Sequence, residues 1–154
     1  MAVILFNTVA FLTVKKLTKS KILHMAIFTI LFHLIVDLFL SYKYQGYWYF
    51  NKEIEWLDIP AITLLSPAAI LMFLDRYPFR KSFFKRILHI IFWSVLIVMY
   101  EAVSLLPEPW GYFRYGWWKL GYSALVYPIL FSVALLYYNW VLCIEEKENR
   151  RSNP

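Results

Sequence analysis

Four apolar stretches, each long enough to cross a lipid bilayer, constrain this chain more than any other feature of its sequence. They are segments 22–40, 57–74, 87–106 and 120–144, which contain 18 to 25 residues each. A helix needs about 20 mostly apolar residues to cross the hydrocarbon core. Only 17% of the residues are charged and 61% are hydrophobic, whereas soluble domains carry about 25% charged residues. A soluble enzyme, an extracellular disulfide-bonded domain and a disordered tail are therefore excluded.

The first 14 residues form a fifth apolar segment that is shorter than the other four. As a helix this segment would be about 21 Å long, less than the ~30 Å thickness of the hydrocarbon core. It lacks the basic start and the small-residue cleavage site of a secretory signal peptide. We therefore expect either a short first transmembrane helix or a helix that lies in the membrane interface.

Basic residues are distributed unequally among the connecting segments. Of the 16 Lys and Arg residues, twelve lie in segments 15–21, 75–86 and 145–154, and four lie in segments 41–56 and 107–119. Because cytoplasmic loops carry the excess of Lys and Arg, the first three segments are predicted to be cytoplasmic, with the N-terminus outside and the C-terminus inside. The net charge of +6 is thus explained by topology and by contact with anionic lipids. Nucleic acid is not predicted as a partner.

An internal repeat indicates how these segments are arranged. A shift of about 65 residues places Lys21-Ile22-Leu23-His24 on Arg86-Ile87-Leu88-His89 and Gly46-Tyr47 on Gly111-Tyr112. We predict an all-α integral membrane protein with a tandem parallel helical-hairpin repeat plus a final helix. It would be a single domain over residues 1–144, followed by a cytoplasmic tail over residues 145–154. Its five transmembrane helices would cover about 1–14, 22–40, 57–74, 87–106 and 120–144. Four crossings with an interfacial N-terminal helix are the alternative.

The two predicted outer loops are unusually rich in aromatic residues, a group that we call the aromatic rim. Tyr and Trp prefer the headgroup level of a bilayer, because the ring is apolar and its polar tip can form hydrogen bonds. These residues are therefore interpreted as an interfacial belt or, alternatively, as a lid or floor for a lipid, an isoprenoid or a sugar-bearing ligand. The predicted rim includes Tyr47, Trp48, Trp56, Trp110, Trp117 and Trp118.

Several polar residues inside the apolar segments are predicted to lie at one depth beneath this rim. Asp37 follows His33 by one helical turn, so the two share a helix face. Glu101 lies at a similar depth in the fourth segment. Carboxyl groups are costly inside a membrane and normally face protein or water. The predicted buried polar cluster consists of His33, Asp37, Asp58, Glu101, Tyr122 and Tyr127.

The cluster allows more than one chemical interpretation. Two neighbouring carboxyl groups in a medium of low dielectric can share a proton, which suits a proton relay, cation binding or acid catalysis. The alternative is that the cluster holds helices together by hydrogen bonds. No spacing of ligands is diagnostic of a metal, and no cofactor or nucleophile motif is present. We therefore predict no metal and no cofactor, and leave any catalytic residues unassigned.

The sequence also resembles an uncharacterised family of small multi-pass membrane proteins of endospore-forming Firmicutes. The resemblance covers residues 17–136 and is carried by FHLIVDLFLSYKYQGYWYF, NKEIEWLDIP, DRYPFRK, the Tyr100-Glu101 pair and GWWKLGYSALVYPILF. It implies a multi-pass protein of the bacterial cytoplasmic (inner) membrane. It implies no particular activity or site.

Three functions remain open from the sequence. The simplest is a non-catalytic membrane subunit that binds lipid or protein. The second is a small transporter or proton or ion pathway that uses Asp37 and Glu101 as coupling carboxylates. The third is a membrane-embedded enzyme that acts on a lipid or isoprenoid substrate. Membrane lipids are the expected partners, together with a possible homo-oligomer or a partner membrane protein.

Overall fold

The computed structural model describes residues 2–50, 52, 56, 58–107 and 111–152, and this part of the chain is mostly helical. Its elements are α1 (Ala2–Thr13), α2 (Lys19–Asp37) with a π-helical continuation (Leu38–Lys43), β1 (Tyr47–Tyr49), α3 (Asp58–Pro60), a π-helical segment (Ala61–Leu65), α4 (Ser66–Asp75), α5 (Phe83–Ser104), β2 (Phe113–Tyr115) and α6 (Leu120–Ser152).

Three stretches of helix are long and apolar enough to cross a membrane. They are Lys19–Lys43, Phe83–Ser104 and Leu120–Glu148. Such segments form helices because an α-helix satisfies every backbone polar group within itself, which is obligatory where water is absent. The chain therefore has the character of a membrane protein, as its composition indicates.

The helices expose many large apolar side chains. Leu34, Ile35, Phe92 and Ile129 are all exposed, whereas Met25 and Phe73 are completely buried in the core. Water would penalise so much exposed apolar surface, but lipid tails would not. The outward-facing residues are thus suited to an apolar surrounding.

The helices pack against one another around a shared core. Helix α2 packs on α4 and α6, α5 packs on α6, and α1 covers α4 from the outside. Alanines at positions 68 and 69 of α4 and 134 of α6 are buried, as small residues often are between membrane helices. The core around them is built mainly from the rings of Phe73, Trp93 and Phe131.

The predicted third apolar segment is helical but is not a uniform α-helix. A π-helical segment, Ala61–Leu65, separates α3 from α4. Prolines at positions 60 and 67 explain the change, because proline cannot donate the backbone hydrogen bond that continues an α-helix. Wider π-turns in helices often accompany functional sites.

Helix α6 continues beyond the predicted end of the last apolar segment, through residues 145–152. Glu145 accepts a hydrogen bond from Ser20 Oγ (2.9 Å) and forms an ion pair with Lys21 (3.5 Å). These contacts hold the last turns of α6 against the start of α2. Residues beyond 144 therefore begin as part of the bundle and not as a free end.

The two aromatic loops form a β-ribbon, which the all-α prediction did not include. Strands β1 and β2 pair antiparallel, with Tyr47 opposite Tyr115, Trp48 opposite Arg114 and Tyr49 opposite Phe113. Aromatic residues favour strands because they pack well on a pleated surface. The ribbon closes one end of the helical bundle, which we call the ribbon end.

Candidate functional site

Asp37 lies at the end of α2 and is completely buried. Its Oδ1 accepts a hydrogen bond from Tyr47 Oη (2.5 Å), and its Oδ2 accepts one from Tyr49 Oη (3.4 Å). The Nε2 atom of His33, one turn earlier in α2, lies 3.3 Å from the same Oδ2. A buried carboxylate is tolerated only when its lone pairs are satisfied, and both hydroxyl donors come from the ribbon.

Glu101 has an equivalent environment on α5, and it is also buried. Its Oε1 accepts hydrogen bonds from Tyr115 Oη (2.5 Å) and Ser123 Oγ (2.7 Å), and its Oε2 accepts one from Tyr127 Oη (2.6 Å). Ser123 and Tyr127 are one turn apart on α6, so they present their hydroxyls on one face. Glu101 therefore joins α5, α6 and β2.

The ribbon connects the two carboxylates. Tyr47 and Tyr115 are directly opposite in the ribbon, and each donates to a different carboxylate. Burial raises the pKa of Tyr47, and the charges of Asp37 and Glu101 raise it further. Burial and the hydrogen bond to Glu101 likewise raise the pKa of Tyr115. Both hydroxyls therefore keep their protons and act as donors.

A cavity of about 220 Å³ extends from beneath the ribbon into the bundle between α2, α4, α5 and α6. Its deep part is apolar and is lined by residues such as Phe28, Ile97 and Phe131. Its polar groups include Glu101 and Tyr127, together with several hydroxyl groups near the ribbon end. The arrangement suits a ligand with an apolar chain and a smaller polar part.

A second polar chain lines the same cavity. Ser66 Oγ lies 2.5 Å from His33 Nδ1, while His33 Nε2 faces Asp37 at 3.3 Å. Ser66 is the first residue of α4, immediately after the π-helical segment. Ser66 does not stand out in the sequence, because only the packing of α4 on α2 brings it to His33.

The structure thus brings four of the six residues of the predicted polar cluster to the ribbon end: His33, Asp37, Glu101 and Tyr127. Tyr122 is a correction, because its side chain is 45% exposed and packs against the rings of Trp117 and Trp118. Five helical positions separate it from Tyr127, which rotates it about 140° away. The side chain of Asp58 lies outside the described residues.

The aromatic rim separates into residues that line the cavity and residues that face outward. Tyr47 and Trp118 line the cavity, and Trp118 Nε1 donates to Ser123 Oγ (2.8 Å). Trp56 and Trp117 are 88% and 51% exposed, which suits an interfacial position. Trp48 is half-buried in the ribbon under Lys52, and Trp110 lies outside the described residues. The rim thus contains residues that line the cavity and residues that face outward.

Within the described part of the chain, no three His, Cys, Asp or Glu side chains are grouped so that they could hold a metal ion. The carboxylate oxygens instead accept from tyrosine and serine hydroxyls. The site thus offers hydroxyl donors, a histidine and an apolar cavity to a ligand. Comparison of the chain with family models, curated proteins and solved structures finds no match.

Proposed function

We propose that this protein is a lipid-binding subunit of the bacterial cytoplasmic membrane, and that it holds one apolar chain in the cavity beneath the ribbon. The observation that carries the proposal is the cavity itself, which is apolar in depth and polar at the ribbon end. Its volume of about 220 Å³ exceeds the ~150 Å³ that admits a benzene-sized molecule. A segment of an acyl or isoprenoid chain therefore fits.

The proposal includes five membrane crossings, with the ribbon outside and the C-terminus inside. The unequal distribution of Lys and Arg supports this orientation. A tandem repeat is supported by the agreement of α1 with α4 and of α2 with α5 after a shift of about 65 residues. In this orientation the apolar cavity lies at the level of the outer leaflet.

The hydrogen bonds of the carboxylates favour binding over a proton or ion pathway. Both oxygens of Glu101 and both oxygens of Asp37 already accept hydroxyl groups. These bonds tie the ribbon to α2, α5 and α6, which makes the carboxylates anchors of the roof over the cavity. A coupling carboxylate would instead have to release such partners in each cycle.

Native mass spectrometry of the protein in nanodiscs or mild detergent tests this proposal. Val126 lines the cavity and its neighbour Leu125 is 73% exposed, so Val126→Phe fills the cavity and Leu125→Phe is the matched control. We expect wild type and Leu125→Phe to retain a bound lipid, and Val126→Phe to lose it at an unchanged melting temperature. Retention of the same lipid by all three proteins, or its absence from wild type, would contradict the proposal.

A further inference from the structure

Ser66, His33 and Asp37 form a connected chain of hydroxyl, imidazole and carboxylate at the wall of the cavity. The Ser66 Oγ to His33 Nδ1 distance is 2.5 Å, and the His33 Nε2 to Asp37 Oδ2 distance is 3.3 Å. Tyr49 Oη also lies 3.3 Å from Nε2 and donates to the same Oδ2 (3.4 Å). We infer that Ser66 is a nucleophile, His33 its general base and Asp37 a positioning residue, and that they cleave an ester-linked acyl chain bound in the cavity. The inference rests on the proposed lipid binding.

The neighbours of His33 assign a role to each of its two ring nitrogens. The Asp37 carboxylate next to Nε2 favours the tautomer that carries its proton on Nε2. Nδ1 is then the acceptor, and Ser66 Oγ–H donates to it. A nucleophile within hydrogen-bond reach of a base, which a third group orients, is the arrangement that activates serine on unrelated folds. The two nitrogens have exchanged places relative to chymotrypsin-like enzymes, but the roles of donor and acceptor are the same.

The local backbone places the reactive groups on the cavity and the carboxylate behind them. Ser66 and His33 both line the cavity, whereas Asp37 is completely buried under Tyr47 and Tyr49. A π-helical segment ends immediately before Ser66, and another begins immediately after Asp37. Both π-helical segments thus adjoin a residue of the proposed triad, Ser66 or Asp37, as π-turns often do at functional sites.

Thr29 provides an independent indication of a polar ligand group at this position. It lies one turn before His33 on α2, lines the same cavity and is only 8% exposed. Its Oγ1 has no hydrogen-bond partner among the residues that the structure describes. An unpaired buried hydroxyl is unfavourable, so a ligand that offers an oxygen there is favoured. An ester carbonyl at the head of an acyl chain supplies such an oxygen.

The reaction is a two-step hydrolysis with water as the second reactant. Ser66 Oγ attacks the carbonyl carbon of the ester while its proton moves to His33 Nδ1. The ester C–O bond then breaks, the alcohol leaves with the proton from His33, and the acyl group remains on Ser66. Water attacks the acyl-serine, gives a proton to His33, and releases the fatty acid as Ser66 Oγ recovers its proton.

A long-chain alkyl fluorophosphonate, which phosphonylates activated serines, tests the inference on the full-length protein in nanodiscs. We expect one adduct by intact mass, located on Ser66 by peptide fragmentation, and none on Ser66→Ala. His33→Gln should label at least about 100-fold more slowly, the lower limit for loss of a general base. Ser132→Ala is the matched control, because Ser132 donates only to a carbonyl of its own helix (2.7 Å).

Two further measurements separate this inference from a structural role and from lipid binding alone. Asp37→Asn should shift the pH dependence of labelling, which a residue that only holds helices together would not change. Because the adduct is mapped on wild type, misfolding of a variant does not prevent a decision. Wild type that binds lipid but gives no adduct, or an adduct at another residue, overturns the inference and leaves lipid binding intact. Loss of lipid binding itself overturns both.

Discussion

Replacing Tyr127 by phenylalanine removes one of the three hydroxyl groups that donate to Glu101. The Tyr127 hydroxyl is the donor to Oε2, at 2.6 Å, whereas Oε1 has two donors. A neutral hydrogen bond between membrane helices contributes about 0.6 kcal/mol on average, and a charged partner roughly doubles the strength of such a bond. Among the described residues Tyr127 is the only donor to this buried oxygen, and its loss raises the cost further. We therefore expect Tyr127→Phe to lower the free energy of unfolding by about 1–3 kcal/mol.

The same substitution in a Glu101→Gln background separates the charge from the hydroxyl. The amide of glutamine can still pair with all three hydroxyls, but it is neutral, so Tyr127→Phe should cost about half as much there. Unfolding in mixed micelles, followed by tryptophan fluorescence, gives both values. Ser132→Ala is the control and should change stability by less than about 0.5 kcal/mol. Equal costs of Tyr127→Phe in the two backgrounds would refute the anchoring role of the Glu101 charge.

Three other predictions concern the turns and the ribbon. Gln45 has φ of 48°, a left-handed conformation that glycine adopts freely. Gln45→Gly should therefore raise stability by up to about 1 kcal/mol in the same unfolding assay. A loss of stability would contradict this. Asp75 Oδ1 accepts hydrogen bonds from the backbone N–H groups of Lys15 and Lys16, after α1 (3.0 and 2.6 Å). Asp75→Asn should therefore lower the free energy of unfolding by about 1 kcal/mol and speed tryptic cleavage at this turn. Unchanged cleavage would argue against this role of Asp75. Burial raises the pKa of Tyr47 and Tyr115 above the ordinary 10.0, so the folded protein binds their protons more tightly than the unfolded chain. The contribution of these two tyrosines to stability should therefore be constant below pH 10 and be lost as the pH rises above it. Tyrosinate absorbance that develops near pH 10 in the folded protein and is reduced by Tyr47→Phe would contradict the burial.

Helices α2 and α5 could be predicted from the sequence to within a few residues, whereas α6 extends eight residues beyond the predicted segment and the third segment contains a π-helical part. Segment 87–106 corresponds to α5, Phe83–Ser104, and segment 22–40 to the helix that extends from Lys19 to Lys43. The apolar runs set these helices because backbone polar groups in a membrane must be satisfied within the segment. The ends differ where polar groups decide them, as at Thr18, whose hydroxyl accepts from the N–H of Lys21 and caps α2.

The candidate site could be predicted only in part. Asp37 and Glu101 stand out in the sequence because ionisable residues are rare in apolar helices. The hydroxyl donors from the ribbon do not, because Tyr47 and Tyr115 belong to segments 41–56 and 107–119, in which 13 of 29 residues are aromatic. The pairing of these loops as a ribbon requires two segments that are more than 60 residues apart, and no local pattern encodes it.

The sequence alone determined that this chain builds apolar helices of membrane-crossing length and that a few buried charges must find partners within the protein. These conclusions follow from the cost of exposing charges and backbone groups to lipid, which depends on composition and length. Tertiary structure alone decided that Ser66 reaches His33 and that a cavity remains between four helices. Both features depend on the relative rotation and spacing of packed helices, and many apolar sequences that form the same helices would fill that space or turn the serine away.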